Sequence, residues 1–376
     1  MAEAYLRSAA LALFGHTPER SLEQLAHPPA VEAVRAAGLR PTEVDAIVGG
    51  SYASGVLTAQ RVARGLGLSD RPIINVENAC ASSSFAANYA VTLVRRGVYR
   101  NVLVLGVEQL SRSGSSLVPL NDDDPEVSIG LIMPALYAMR AQRYMLTFGA
   151  TAADLAAVSV KSHAAGALNP IARYRRAVSL EEVLTSRMIA DPLTLLQCCA
   201  GGDGAGALVI GAEPGDGPAV RVAASAVSAG RETSGPRDMA ASELTRKVAD
   251  QGYAEAGVGP QDLDVVELHD AFTIGELIYT EALGLCPPGG APALLHSGAT
   301  SIGGRCPVNP SGGLLSRGHP VGATGVAQLA EVFWQLRGQA GPRQTAGRRV
   351  GLTHTTGGGI AGYDNAACAV HILIRE

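Results

Sequence analysis

Hydrophobic residues along this chain switch between two periods. In "RPIINVEN" (71–78), Ile73, Ile74 and Val76 form a short apolar, β-branched run, which predicts a buried strand. Immediately after it, Phe85, Tyr89, Leu93 and Val94 recur at helical spacing. The junction, "NVENACASSSFAANYA" (75–90), places Cys80 among small residues at or near a helix N-terminus. Unpaired N–H groups and the helix dipole there favour thiolate over thiol. Small neighbours would let a substrate approach closely. The competing reading is a buried structural cysteine, since free cysteine is among the most buried residue types.

The same alternation occurs twice. "RAAGLRPTEVDAIVGG" (35–50) lies without gaps on "AEAGVGPQDLDVVELH" (254–269): Ala37-Gly38 faces Ala256-Gly257, Pro41 faces Pro260, Val44-Asp45 faces Leu263-Asp264, and Ile47 faces Val266. Each copy reads as a helix ending at Gly, a turn with Pro, then a buried strand. "NACASSSFAANYAVTLVRRG" (78–97) and "HPVGATGVAQLAEVFWQLRG" (319–338) form a second echo, each followed by a strand candidate, "NVLVLGVEQ" (101–109) and "RRVGLTHTTGG" (348–358). Two related α/β halves are expected, over residues 1–214 and 215–376. Equivalent turns of such halves meet near the pseudo-twofold axis, which would bring Cys80 close to His319. Residues 113–195 break the pattern and read as an inserted loop and helices capping the site.

The 376 residues are 47% hydrophobic and 17% charged, enough for a sizeable core, and the net charge of -4 speaks against a nucleic-acid surface. The six cysteines (80, 198, 199, 286, 306, 368) show no paired zinc spacing, so no metal is expected. A disulfide framework is not expected at this length, which points to a reducing, cytoplasmic compartment. The N-terminal run reads as a first strand or helix rather than a signal peptide, and no apolar stretch reaches the roughly 18 residues that span a bilayer. "GGDGAGA" (201–207) precedes a strand instead of opening a helix, which excludes a dinucleotide fingerprint.

Four stretches can supply reactive groups: Cys80, "ELHDAF" (267–272), "GGLLSRGHPVGATG" (312–325) and "LTHTTGGGIAG" (352–362). A cysteine nucleophile needs a base, and His319 is the natural partner. Acyl transfer needs donors for a developing oxyanion. Ring N–H groups of His269 and His319 can form one hole, and backbone N–H groups at Cys80 and in the glycine run another. Singly, each histidine also reads as a satisfied core or loop residue. Asp270 reads equally as a helix cap, and His354 as structural.

Together, in this order, the four stretches resemble the thiolase superfamily, and more closely its sterol-carrier-protein branch. "NACASSS" resembles the nucleophile motif, "ELHDAF" the His-Asp-Cys-Phe motif of that branch, and "NPSGGLLSRGHPVGATG" the histidine motif. "MPALYAMRAQRYM" and "SRMIADPLTLLQCC" also look like that branch. The resemblance implies a five-layered αβαβα fold of two similar halves and a homodimer or larger assembly. The implied activity is an acyltransferase of lipid metabolism that forms or cleaves a β-ketoacyl-CoA by Claisen chemistry. The CoA thioester is the substrate and no further cofactor is implied. It also implies that Cys80 is acylated and that His319 activates it. His269 and His319 would hold the thioester enolate, and the N–H groups of Cys80 and Gly357 the second oxyanion.

One element of that pattern is missing. A second acid/base, usually cysteine, removes the α-proton in this superfamily, but the two positions where it is expected hold Thr355 and Ala271. His354 is the favoured replacement, ahead of Cys306 and Cys199, because its ordinary pKa of about 6.5 suits the task. Two alternatives follow. One is a decarboxylating ketosynthase-like enzyme, in which the Cys80–His269–His319 set needs no separate base. The other is a subunit that needs a small zinc-ribbon/OB-fold partner protein.

Overall fold

The computed structural model describes residues 2–112, 120–199, 201–232, 237–361 and 364–376. Its strands are β1 (Tyr5–Leu11), β2 (Ala46–Gly50), β3 (Ile73–Val76), β4 (Asn101–Gln109), β5 (Met188–Ala190), β6 (Leu193–Thr194), β7 (Asp203–Gly211), β8 (Val220–Ala229), β9 (Val265–Glu267), β10 (Val350–Gly357) and β11 (Ala367–Arg375). The α-helices are α1 (Leu22–Ala36), α2 (Thr58–Gly65), α3 (Ser82–Arg95), α4 (Pro125–Ser128), α5 (Met133–Phe148), α6 (Ala152–Ala167), α7 (Leu180–Thr185), α8 (Glu243–Ala256), α9 (Thr273–Ala282), α10 (Ala291–His296), α11 (Gly313–Ser316) and α12 (Thr324–Arg337).

Nine strands run in the order β3-β2-β4-β7-β1-β8-β11-β10-β9. The order is a repeat read outward from the centre. β2 pairs in parallel with β3 and β4, β4 pairs antiparallel with β7, and β7 antiparallel with β1. In the other half β9 pairs in parallel with β10 and makes a parallel bridge at Val308, β10 pairs antiparallel with β11, and β11 antiparallel with β8. The halves join where Tyr5 of β1 faces Arg221 of β8. This is the duplication expected from the sequence. The helices also correspond: α3 and α12 are each 14 residues long, and each follows a three-residue 3-10 turn, Ala79–Ala81 and Val321–Ala323.

Side-chain alternation sorts the layers. On β4, Val102 and Val104 pack with Ala86, Ala90 and Val91 of α3 and Val326, Leu329 and Phe333 of α12. Leu103, Leu105 and Val107 face the opposite way, onto α1 and α2. In the second half Leu352, Val370 and Ile372 point outward to α8 and α9, while Val265 and Leu373 point inward. The result is αβαβα, with α3 and α12 as the shared middle layer.

One expectation needs correction. Ile73–Val76 is a strand, but only partly buried, because β3 pairs on one side only at the sheet edge. The inserted region leaves the first half and packs on the second. Tyr137, Tyr144, Leu155 and Val158 share a core with Ile274, Leu277 and Ile278 of α9, and Lys161 pairs with Glu276 at 2.6 Å. Tyr137 stacks on Phe272 with centroids 4.6 Å apart, so the insertion leans on the loop that carries His269. Residues 113–119, at its start, lie outside the described residues.

Candidate active site

Cys80 sits in the 3-10 turn before α3, and the turn is strained. Ala79 has φ +47°, which side chains disfavour. The strain is held by short bonds: Ala79 N–H donates to Glu77 Oε1 (2.6 Å), Asn78 N–H to Ser82 Oγ (2.9 Å), and Ser82 Oγ–H to Ala79 O (2.6 Å). Gly357 backs the turn so closely that a Cβ there would lie 2.2 Å from Asn78 O. The N–H groups of Gly358 and of Cys80 itself favour charge on the sulfur of this half-buried residue.

The turn of the other half meets it. His319 Nε2 lies 3.2 Å from Cys80 Sγ. Burial pushes the thiol up to about 12, further raised by Glu108 and Glu77 and partly offset by the Gly358 amide. Burial also pushes His319 well below its ordinary value, with His269 and Arg317 adding to the effect. At rest the pair is therefore a neutral thiol donating to a neutral imidazole. The expected thiolate is not the resting form, because desolvation outweighs the local N–H groups.

Thr324 selects the imidazole tautomer. Its hydroxyl donates to Pro320 O (3.2 Å), leaving its oxygen to accept from His319 Nδ1–H at 2.7 Å. The lone pair then lies on Nε2, facing the thiol, as a general base requires. Thr324→Val keeps the shape and removes the acceptor. Acylation of Cys80 is expected to slow by about tenfold or more, with the fold intact. Stopped-flow acylation beside thermal unfolding checks this.

His269 completes the cluster. Its ring stands edge-on to His319, centroids 5.2 Å apart at 83°. Donor atoms of Cys80, His269 and His319 all lie within 4.8 Å of one another. These are the donors that could hold a metal ion, although Cys80 and His319 are already engaged with each other as acid and base. Burial, with Arg317, drives the His269 pKa down to about 3, so its ring is neutral. Its Nδ1 has no partner among the described residues.

A buried ionic frame holds both histidines. Glu267, two residues before His269, pairs with Arg317, two residues before His319, at 3.0 Å, and both are essentially without exposure. Ser311 N–H and Oγ–H also donate to Glu267, at 3.0 and 2.8 Å. Asp270 Oδ1 accepts from Leu314 N–H at 2.7 Å, capping α11 across the chain. Asn309, at φ +55°, accepts Leu268 N–H on its side chain at 2.8 Å. On the other side Glu108 accepts from the N–H groups of Tyr52, Ala53 and Gly322 and from Ser54 Oγ–H, at 2.6 to 3.1 Å. Thr324, Glu267, Arg317 and Glu108 were all missed in the sequence. Thr324, one turn after His319 in the same motif, carried the only readable signal.

The other expected residues lie around this core. His354, the favoured replacement base, is fully buried with Nε2 on Thr245 Oγ1 (3.0 Å) and its ring against Tyr279 (4.7 Å), in the outer α8–α9 layer. It stands outside the group formed by Cys80, His269 and His319. Thr355 faces the middle layer, accepting from Ser84 Oγ (2.8 Å) and donating to Gln328 Oε1. Cys306 lies in the core of the second half. Gly357 backs the Cys80 turn, and the neighbouring Gly358 amide lowers the Cys80 thiol against the effect of burial.

This geometry has relatives. The chain matches the family described as "Thiolase, N-terminal domain" over residues 5–213 and "Thiolase C-terminal domain-like" over residues 225–370. It is 42% identical over 351 residues to the benzoylsuccinyl-CoA thiolase subunit BbsB of Thauera aromatica, covering 91% of each chain. It is 35% identical to human sterol carrier protein 2 over 371 residues, covering 92% of this chain and 68% of that one. The solved structure of an "Ltp2-ChsH2(DUF35) aldolase" superposes with a TM-score of 0.86 at 28% identity, covering 100% of this chain and 98% of that one. With a cysteine and a histidine brought together from two like halves, and both family halves matched in order, the chain belongs to the thiolase family and is an acyltransferase of acyl-CoA Claisen chemistry.

Proposed function

We propose that the acyl group is carried on Cys80. The observation that supports this reading is the 3.2 Å contact from Cys80 Sγ to a His319 Nε2 whose other nitrogen is held by Thr324. His319 takes the thiol proton as sulfur attacks the acyl-CoA carbonyl. The Cys80 and Gly358 amides meet the oxyanion formed there. His269 and protonated His319 meet the enolate oxygen of the second thioester. The halves divide near residue 214, the first carrying the nucleophile and the second the histidines.

A cavity of about 390 Å³ is lined by Arg231, Arg237 and Lys247 together with the carboxylates Asp238, Glu243 and Asp364, so its charges balance. It also touches Ala229, which faces Ala367, which in turn faces Gly357, so it opens at the same end of the sheet as the Cys80 turn. On this reading the CoA thioester is substrate, with no resident cofactor or metal. A cytoplasmic place in acyl-lipid metabolism fits six free cysteines, and no helix among the described residues is long and apolar enough to cross a membrane. A homodimer or larger assembly fits the open β3 edge beside exposed Val56 and Leu57. A small zinc-ribbon/OB-fold partner is supported by the word "subunit" in the Thauera protein's name and by the DUF35 protein named with the solved aldolase.

Intact-protein mass after incubation with acetyl-CoA tests the reading, with Cys80→Ser as control. An acetyl adduct that vanishes in the control is expected. Its absence from the native chain would remove Cys80 as the acyl carrier. A Cys–His–His cluster also suits decarboxylative condensation. Turnover of malonyl-CoA far above acetyl-CoA would favour that second reading.

A further inference from the structure

Claisen turnover needs one more group. It must give a proton to the departing CoA sulfur and later accept one from the α-carbon of the second thioester. Ala271 has no such group, Thr355 is engaged between Ser84 and Gln328, and His354 faces the outer layer. We propose that Cys199 is this second acid/base, brought to the site from the segment before β7.

The backbone there runs along both histidine-bearing turns. Cys198 bridges to Phe272, Cys199 N–H donates to Ala271 O at 2.8 Å, and Gly201 bridges to His319. Cys198 is extended, with φ −117° and ψ 136°, and its thiol turns away to donate to Thr194 O at 3.4 Å. Alternation sends the next side chain to the opposite side. The antiparallel bridge sets Cys199 opposite Ala271, and opposed residues share a face, so Cys199 takes the side of the position where the resemblance places the second cysteine. Burial raises its thiol well above the ordinary value, with Cys198, Cys80 and Asp270 adding to the effect. Cys199 is half-buried as a residue. Asp270 Oδ2 and His269 Nδ1 are buried polar atoms without hydrogen-bond partners among the described residues, Oδ2 lying against Gly313.

The proton balance closes, given acyl transfer through Cys80, on which this assignment rests. Cys80 sulfur forms a bond to the acyl carbon and its proton goes to His319. The carbon–sulfur bond to CoA breaks, and CoA takes its proton from the Cys199 thiol, leaving a thiolate. That thiolate removes the α-proton of the incoming thioester. The enolate carbon bonds to the acyl carbon, the bond to Cys80 breaks, and His319 returns its proton to Cys80. A raised thiol pKa suits a group that starts protonated and becomes a strong base only after acylation.

The test uses acetyl-CoA in D2O with two readouts, acetylation of Cys80 and deuterium entering the acetyl methyl group. For Cys199→Ser and Cys199→Ala, exchange is expected to fall about 100-fold or more. Acetylation, which also reports folding, is expected to slow, because CoA loses its proton donor, but still to reach a full Cys80 adduct. Adding Ala271→Cys to Cys199→Ser places a thiol beside the vacated position and is expected to restore exchange. Exchange at the native rate in both variants would overturn the assignment, as would a native chain that acetylates Cys80 without exchange. A native chain that fails to acetylate would instead overturn the reading of Cys80.

Discussion

His319→Ala leaves a nucleophile that works only as alkali is added. With burial holding the Cys80 thiol at about 12, the thiolate fraction at pH 7 is about one in 10⁵. The native chain bypasses this scarcity because Nε2, 3.2 Å away, takes the proton during attack. Without it, acylation is expected to fall by about 10³-fold or more at pH 7. The sign of the pH dependence follows. The variant's rate rises about tenfold per pH unit through the neutral range, because every unit below the thiol pKa costs a factor of ten in thiolate. The native rate is much flatter, since its base is a histidine driven well below the ordinary value and already unprotonated. Acylation rates from quenched intact mass between pH 6 and 9 give the comparison. A flat profile in the variant would show that Cys80 is already ionised and that His319 has another role.

Arg317→Met produces the largest loss of stability. Arg317 and Glu267 are both fully buried and joined at 3.0 Å, so removing one leaves the other charge in the core. The expected loss is about 3–5 kcal/mol, read as a lower urea midpoint. Burial already pushes Glu267 up to about 7 against the pull of Arg317. In the variant its folded pKa rises further above the unfolded value of about 4.3. Above that value the unfolded chain releases a proton that the folded chain keeps. The deficit therefore grows as pH rises from about 4.5 through neutrality. Adding Glu267→Leu removes the orphaned carboxylate and is expected to recover part of the loss. Equal destabilisation at pH 5 and pH 8 would contradict this account.

Much of the fold was legible because duplication writes the same turn twice. Ala37-Gly38 and Ala256-Gly257 end equivalent helices, Pro41 and Pro260 open equivalent 3-10 turns, and the strands that follow are β2 and β9. The meeting of Cys80 with His319 follows from the same symmetry. The protonation state of Cys80 was not legible, because the dipole is local while desolvation depends on everything packed around the turn. His354 was favoured by proximity in the chain, but alternation on β10 gives the middle layer to Thr355 and the outer layer to His354. Cys199 lies 119 positions from Cys80 and approaches through single bridges to Phe272 and His319 neighbours, which leave no periodic trace. The edge position of β3 and the packing of the insertion on α9 are likewise long-range outcomes of apolar runs that look alike in sequence.

The central place of β1 carries a consequence for synthesis. It precedes the other described strands in the chain, yet both its neighbours in the sheet, β7 and β8, come late, β7 beginning at Asp203. At roughly 5–20 residues per second, β1 waits on the order of 10–40 s for its first partner. During that time a strand with alternating buried positions has its hydrogen-bonding edges open, while all of the insertion must emerge before the first half-sheet can close. Chaperone capture of nascent chains is therefore expected to be concentrated on those in which β1 has emerged and β7 has not, and to decline once β7 is free to dock.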